Sequence, residues 1–529
     1  MGKKIGIDLG TTYSCVAYVD ESGRVQILDN AEGEQTTPSV VYIKDGEVVV
    51  GSTARQEGGL NPECIVERVK NHMGEPDYTL NVDGTDYSPA AISRYILEKL
   101  VRDAKETLGD EIDGAIITCP AYFGDMPRNA TKAAAEAMGL NVLQILDEPV
   151  AAALAYGYSR QEDMNKTILI YDLGGGTFDS TVLKLNFVGD KREMEVITTG
   201  GDHHLGGKDW DAKLTEYVTQ EFCQRTGCDS TDMACDPECI QMFSENTEKT
   251  KKLLTAKESA SMTVNFEGQK EKIEITREKF DEITESLLNQ TIMCIDNMLS
   301  AKQMTLDQID EIILVGGSTR MPQVRARLEM EYGKPISSYE PDKAVAMGAA
   351  LMASFANYAT STTASGDDPV SGDTLSLGGA TEFTDPQGRD FSVKIKCTKS
   401  YGLIAVNSKG ERILSNIVLK DTEKPCAISK SFTAVCDNQE SALIEILEND
   451  SVEDTCAEEE GEKMYEDSTI QFPHPVAKGT PLEVTFVLDQ NGNLEVELSV
   501  NGGPKQRVTP VRIGNDTNFV GMDNALKMI

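Results

Sequence analysis

Along the first 357 residues, apolar runs rich in β-branched residues alternate with stretches of helical period. Ala115–Cys119, Thr167–Asp172 and Glu311–Val315 are short apolar runs bounded by turn residues, which predicts strands. Arg128–Met138 is Ala-rich and of high helix propensity, and Lys279–Leu299 has helical periodicity, so both are predicted helices. Strands and helices in alternation predict an α/β domain over residues 1–357. The pattern then breaks: Asn357–Asp390 is rich in Ser, Thr, Gly and Asp, cannot build a core, and predicts a flexible linker with bounds at 358–392. From Phe391 to Val500 apolar and polar residues alternate between turns, which predicts a small all-β domain at 393–503. Val484–Val500 has the pattern of a hairpin around Asn491-Gly492. The acidic run Glu448–Glu466 interrupts the alternation and is expected as a solvated loop. The tail, 504–529, has room for one terminal helix at most.

At 529 residues the chain is too long for one core, in keeping with this division. No stretch approaches the run of about 20 apolar residues that a membrane helix needs. The start, MGKKIGIDLG, passes directly into a strand pattern with no signal peptide, so a soluble cytoplasmic protein is expected. The net charge of -37 shows no basic stripe and argues against nucleic acid. Twelve scattered cysteines suit a reducing compartment. Cys223, Cys228, Cys235 and Cys239 cluster, and their spacing leaves two readings, zinc ligands or ordinary reduced thiols beside a helix.

The chemistry lies in two segments that look like copies of one device. Ile5–Ser14 (IGIDLGTTYS) and Ile168–Asp179 (ILIYDLGGGTFD) each run from apolar strand to Asp to a Gly/Thr turn. Glycines let backbone N–H groups approach phosphate, and Thr hydroxyls add donors. An Asp at each strand end suits a hydrated Mg2+. A third turn, Leu314–Pro322 (LVGGSTRMP), offers Gly316, Gly317 and Ser318 to the sugar and phosphate side of a nucleotide and Arg320 to a base. None has the GxxxxGK[ST] pattern of a P-loop.

These three motifs, in this order, resemble the actin, sugar-kinase and heat-shock ATPase superfamily, and their wording resembles the DnaK-type heat-shock chaperones. RVKNHMG (Arg68–Gly74), CPAYFGDMPRNATKAA (Cys119–Ala134), LDEPVAAALAYG (Leu146–Gly157), DHHLGGKDWD (Asp202–Asp211), TEKTKKLL (Thr247–Leu254) and EPDKAVAMGAAL (Glu340–Leu351) agree. The resemblance implies an actin-like α/β ATPase domain of two ribonuclease-H-like lobes, followed by an all-β sandwich. It implies ATP or ADP as ligand with Mg2+, and K+ as a further ion. Asp8 and Asp172 match water-mediated Mg2+ ligands. Gly10, Thr11, Thr12 and Tyr13 match the first phosphate loop, and Gly175, Gly176 and Thr177 the second. Lys70 matches the lysine that stabilises the transferring phosphoryl group, a role the chemistry requires of some cation. Taken alone, Lys70 reads as a surface lysine on a helix-like stretch. Glu148 matches the carboxylate linking nucleotide state to domain movement, and Asp179 a group orienting the attacking water. Gly200 and Gly201 fall at nucleotide-binding positions; Glu248, Lys251, Lys252 and Thr255 match the helix closing over adenosine, and Asp342 completes the edge. Lys252 stands where the family has Arg, so its alkyl stem is expected against adenine without planar stacking. Every position needed for phosphate chemistry is present, which implies an active, slow ATPase.

The second half resembles the family's peptide-binding sandwich at Ser429–Asp450 and Gly479–Val500, with Val435 and Ala442 at peptide-groove positions. Three departures stand out. The family's leucine-rich linker is replaced, and its nearest equivalent, Val393–Gly402, carries Lys394, Lys396 and Lys399, whose heads oppose burial. The chain runs about 30 residues past the hairpin, too few for the family's helical lid, so a lidless groove is expected. Gln144, Asp147 and Val150 differ from the positions that meet J-domain co-chaperones, while Pro120 and Arg128, the family's relay pair, are kept. The expected function is an ATP-dependent chaperone binding unfolded or extended peptides, with a nucleotide exchange factor as partner and a J-domain protein in doubt. The competing readings are a nucleotide-gated adaptor for one dedicated protein, and a metabolite kinase on the same fold. Neither a membrane nor a nucleic acid is an expected partner.

Overall fold

The computed structural model describes residues 2–355, 382–511 and 527–528, apart from 59–60, 76, 161, 408 and 490–491. The turn residue Asn491 and most of the expected linker, 356–381, lie outside the described residues. The predicted strands and helices form: Ile112–Cys119, Met164–Leu173 and Arg277–Ala301 with longer bounds, Glu311–Val315 as expected, and Asp125–Glu136 starting and ending earlier than expected.

Two lobes share one plan. In the first, Lys3–Asp8 pairs antiparallel with Tyr13–Val19 and parallel with Ile112–Cys119, which pairs parallel with Val142–Asp147. In the second, Met164–Leu173 pairs antiparallel with Phe178–Val188 and parallel with Glu311–Val315, which pairs parallel with Ile336–Ser338. Each Asp motif thus sits where a central strand ends and an antiparallel partner begins. Ile5 and Ile7, like Ile168 and Ile170, are buried, because each central strand is covered on both faces.

The helices Glu148–Tyr158 and Ala344–Phe355 carry mostly small residues and cross between the lobes. Gly348 makes that crossing possible: a Cβ there would stand 1.7 Å from the Ala151 carbonyl oxygen. Gly6 admits the second helix onto the first sheet, since its Cβ would stand 2.1 Å from the Ala350 nitrogen. Gly348→Ala should therefore destabilise the protein by about 3 kcal/mol or more, because backbone on both sides must move. Urea unfolding of the pure variant measures this, and an unchanged midpoint would show that the crossing has slack.

The β domain is a sandwich of a five-stranded and a four-stranded sheet, with a further pair formed by Gln439–Ile444 and Ser468–Val476. Its core contains Tyr401, Leu403, Ile444, Ile446, Tyr465, Phe486, Val496 and Leu498. The hairpin Pro481–Leu488 with Leu494–Val500 forms as expected.

Two expectations give way. Residues 382–392, assigned to the linker, contain strand: Glu382–Thr384 pairs with Asp390–Lys396, which joins the second lobe's sheet parallel to Lys191–Asp202. The same strand pairs at Ile395 and Lys396 with Lys424 and Glu423, so one strand runs from the ATPase sheet into the β domain. The lysines do not obstruct it, because a strand alternates its faces. Phe391, Val393 and Ile395 are buried, whereas Lys394 is exposed, Lys396 pairs with Glu195 at 3.4 Å and Lys399 with Asp450 at 2.5 Å. Nor is the acidic run a solvated loop throughout: Glu448 and Asn449 are buried strand residues, and Met464 and Tyr465 enter the core. Apolar anchors at both ends fold that segment onto the sandwich despite its charge. The described residues of the tail hold two short strands, Gln506–Val508 beside Leu494–Val500 and Lys527–Met528 beside Glu47–Val50, within the expected limit of one helix.

Candidate active site

The two Asp motifs and the third glycine turn open on a single cavity of about 1570 Å3 between the lobes. Asp8, Gly10, Thr11, Thr12, Tyr13, Lys70, Glu148, Asp172, Gly175 and Thr177 line its floor, with Glu248, Lys251, Lys252, Thr255, Gly316, Gly317, Ser318, Arg320 and Asp342 around its walls. Residues more than 300 positions apart are therefore brought to one place.

The glycine turns are braced by backbone bonds. The Gly174 N–H donates to the Thr177 carbonyl at 3.0 Å, closing the second loop. The Gly174 carbonyl accepts from the Gly207 N–H at 3.0 Å and from the Ser318 hydroxyl at 2.9 Å, tying the second turn to the third. Gly176 is wedged against Thr11, whose side chain lies 2.6 Å from where a Cβ would stand.

Charge is concentrated on the floor. Lys70 is 5% exposed and donates to Glu148 at 2.6 Å. Burial works against its charge, but Glu148, Cys119 and Asp8 outweigh burial and raise its pKa, so the ammonium persists. Burial, and then the charge of Glu148, push Asp8 up to about 7. The same two causes raise Asp172 and Asp179 well above the carboxylate range. Asp179 is 2% exposed and its Oδ1 has no hydrogen-bond partner. Paired strand ends whose carboxylates resist ionisation fit a hydrated divalent cation, which would restore their charge.

At the mouth, a cluster joins the lobes. The Tyr13 hydroxyl donates to Glu248 at 3.0 Å and accepts from Arg55 at 2.9 Å and Lys252 at 3.1 Å. Lys252 also pairs with Glu248 at 2.8 Å and lies 4.7 Å from the centre of the Tyr13 ring. Lys251 is turned inward onto Asp211 and the Gly207 carbonyl, both at 2.8 Å. Arg320 is held by Asp342.

Not every expected residue lines the cavity: Gly176, Asp179, Gly200 and Gly201 do not. Gly200 and Gly201 stand in the strand Lys191–Asp202 opposite Ser180 and Asp179, where Gly201 leaves room for the Phe178 carbonyl. They shape the sheet beneath the site. Val435 and Ala442 lie in the β domain; Val435 is 56% exposed, and half-buried Ala442 packs onto the sandwich core. Among the described residues no three His, Cys, Asp or Glu side chains gather as metal ligands, so zinc at the four clustered cysteines finds no support. Arg55 and Asp211 escaped the sequence reading, because nothing local marks an arginine or aspartate whose partner lies in another element.

The floor leads outward to the β domain. Asp147, next to Glu148, pairs with Arg128, whose guanidinium also donates to the Phe123 carbonyl at 2.7 Å. One turn earlier on the Arg128 helix, Asp125 is 2% exposed and accepts from Tyr401 at 3.1 Å and Tyr465 at 2.6 Å, both in the β domain. Glu448 lies against the same helix end and accepts from the Asp125 N–H at 3.4 Å. Lys302 and Asp421 form a second bridge at 2.7 Å.

Comparison with known proteins places this geometry. The family model described as "Hsp70 protein" matches residues 4–79 and 76–363. Two proteins named "Chaperone protein DnaK", from Thermotoga neapolitana and Thermotoga petrophila, are each 36% identical over 513 residues, covering 95% of this chain and 79% of the relative. No helix among the described residues is long and apolar enough to cross a membrane. With two Asp-tipped lobes around a nucleotide-sized cleft and a strand sandwich docked beside them, the chain belongs to the Hsp70 family: it is an ATP-dependent chaperone and an ATPase.

Proposed function

We propose that this cleft binds ATP with Mg2+ and that its hydrolysis controls the grip of the β sandwich on extended, unfolded peptides. The observation that carries this reading is the buried Lys70–Glu148 pair at 2.6 Å, one residue from the Asp147–Arg128 pair that leads to the Asp125 clasp.

In this reading Asp8 and Asp172 hold Mg2+ through water, and the ion supplies positive charge beside the phosphates. The backbone of Gly10, Thr11, Thr12 and Tyr13 and of Gly175, Gly176 and Thr177 cradles those phosphates, with the Thr177 hydroxyl as a further donor. Lys70 stabilises the transferring phosphoryl group, and Asp179 orients the attacking water. Glu148 reports the state of Lys70 to Asp147 and Arg128. Glu248, Lys251, Lys252, Thr255, Gly316, Gly317, Ser318, Arg320 and Asp342 enclose the nucleoside. K+ is a further ion this floor of carboxylates would accept.

Val435 and Ala442 are the proposed groove positions, and exposed Leu443 adds apolar surface beside them. An exchange factor is a proposed partner, acting on the mouth cluster that joins the lobes. Gln144, Asp147 and Val150 are buried, which argues against an ordinary J-domain protein docking on them. All twelve cysteines stand free, in keeping with a reducing cytoplasm.

The test is the steady-state ATPase rate of the full chain with and without a panel of extended apolar peptides. Peptide-dependent stimulation is expected. Equal rates, together with peptide affinities that are the same in ATP and ADP, would refute coupling between the domains.

A further inference from the structure

Cys223, Cys228 and Met233 follow one another at equal steps in the segment CQRTGCDSTDM. The fold converts that spacing into a triangle of sulfurs. Cys223 Sγ lies 2.9 Å from Cys228 Sγ, and Met233 Sδ lies 3.7 Å from the first and 3.6 Å from the second. The construction is local. The helix Gly207–Thr226 ends at Gly227, which has φ 78 and returns its N–H to the Cys223 carbonyl at 2.7 Å, folding Cys228 back over Cys223. Asp229 then caps the short helix Ser230–Cys235, which delivers Met233 from below, 1% exposed. The two thiols are half-buried, and Gln224, Arg225, Gly227 and Asp229 around them are exposed, so the site opens to solvent on one side.

We propose that Cys223, Cys228 and Met233 form a three-sulfur binding site for a thiophilic monovalent cation of the Cu(I) kind. Two thiols and a thioether are soft ligands, which suit Cu(I) and exclude Mg2+, and three sulfurs fall short of the four ligands of a structural zinc site. Among the described residues no His, Asp or Glu joins them as a third ligand, which separates this site from the zinc reading. With metal–sulfur bonds of about 2.3 Å, a trigonal site places its sulfurs ~4 Å apart. The two contacts to Met233 are already close to that, and the cysteine pair has to spread by ~1 Å, which the exposed turn at Gly227 permits. A simple dithiol–disulfide pair is the rival. It gives the buried thioether no role, although Met233 Sδ lies within 3.7 Å of both thiols. Metal binding instead displaces the thiol protons directly, one proton leaving for each thiolate–metal bond formed.

The experiment titrates the reduced full chain with Cu(I) alone, under nitrogen, against a colorimetric Cu(I) chelator. One Cu(I) per chain is expected to be withheld from the chelator. The Cys223→Ser/Cys228→Ser variant should lose that retention, and Met233→Leu should weaken it about tenfold or more, on the scale that metal sites respond to a lost partner. Substituting the exposed Cys235 and Cys436 by Ser should leave retention unchanged. Unaltered ATPase activity in each variant shows that it is folded. The proposal is overturned if the wild-type chain yields all its Cu(I) to the chelator, or if the double variant retains as much as the wild type. It is equally overturned if peroxide joins Cys223 to Cys228 while the reduced chain holds no Cu(I), which would make the pair a redox device.

Discussion

Lys70→Ala is expected to lower single-turnover ATP hydrolysis by about 10²- to 10³-fold, the cost of removing one preorganised charge from a transition state. ATP affinity, read by calorimetry, should change little by comparison. The reason lies in the floor of the cleft. Lys70 is a buried ammonium held at 2.6 Å by Glu148, with Asp8, Asp172 and Asp179 close enough for their charges to act on one another. The backbone groups of the glycine turns, the proposed phosphate donors, stay in place after the substitution. In the proposed mechanism Lys70 acts where negative charge develops as the γ-phosphoryl group leaves. The same substitution strands Glu148 without its partner, so peptide should also lose its effect on the residual rate. An unchanged rate would remove Lys70 from the chemistry, and a matching collapse of ATP affinity would make it a binding residue instead.

The second large effect concerns pH. Glu448 is 5% exposed where the β domain meets the Asp125 helix. Burial, and then the Asp125 carboxylate, push it up to about 8 from an ordinary value of 4.5; Lys399 works in the opposite direction and Glu462 in the same one. Because the docked value is raised, docking takes up a proton. That contribution is fully present below the undocked value of 4.5 and is lost as pH rises through about 8. The docking constant should therefore fall by about tenfold per unit across this window, hence about 30-fold from pH 6 to 7.5. X-ray scattering of the full chain at the two pH values reports the balance of docked and extended forms. Glu448→Gln, which mimics the protonated acid, should stay docked at both. If that variant extends with pH as the wild type does, another group carries the proton.

Much of the ATPase domain was legible because its evidence is local. Ile5–Ser14 and Ile168–Asp179 each hold a buried strand, an Asp and a glycine turn within a dozen residues, and the structure sets both on one cleft. Gly200 and Gly201 show where such reading stops. A glycine pair looks alike whether it admits a phosphate or a neighbouring carbonyl, and here Gly201 makes room for Phe178. The lysines of Val393–Gly402 look like charges to be buried, yet strand alternation turns Lys394 and Lys396 away from the core that Phe391, Val393 and Ile395 enter, and Lys399, in the following turn, pairs with Asp450. Composition hid the acidic segment in the same way: the fifteen residues between Glu448 and Met464 are mostly charged or turn-forming, yet the apolar ends bury both.

By itself the sequence determined the two Asp-tipped lobes, the glycine turns at their ends, the β domain and the family, because hydrophobic period, turn chemistry and motif order act over a few residues at a time. Only the tertiary structure decided the Tyr13–Arg55–Glu248–Lys252 cluster, the clasp of Tyr401 and Tyr465 on Asp125, and the strand shared by the two domains. The physical reason is distance along the chain: a hydrogen bond between residues 276 or 340 positions apart leaves no periodicity to read, and the burial that makes it strong exists only after the chain has closed around it.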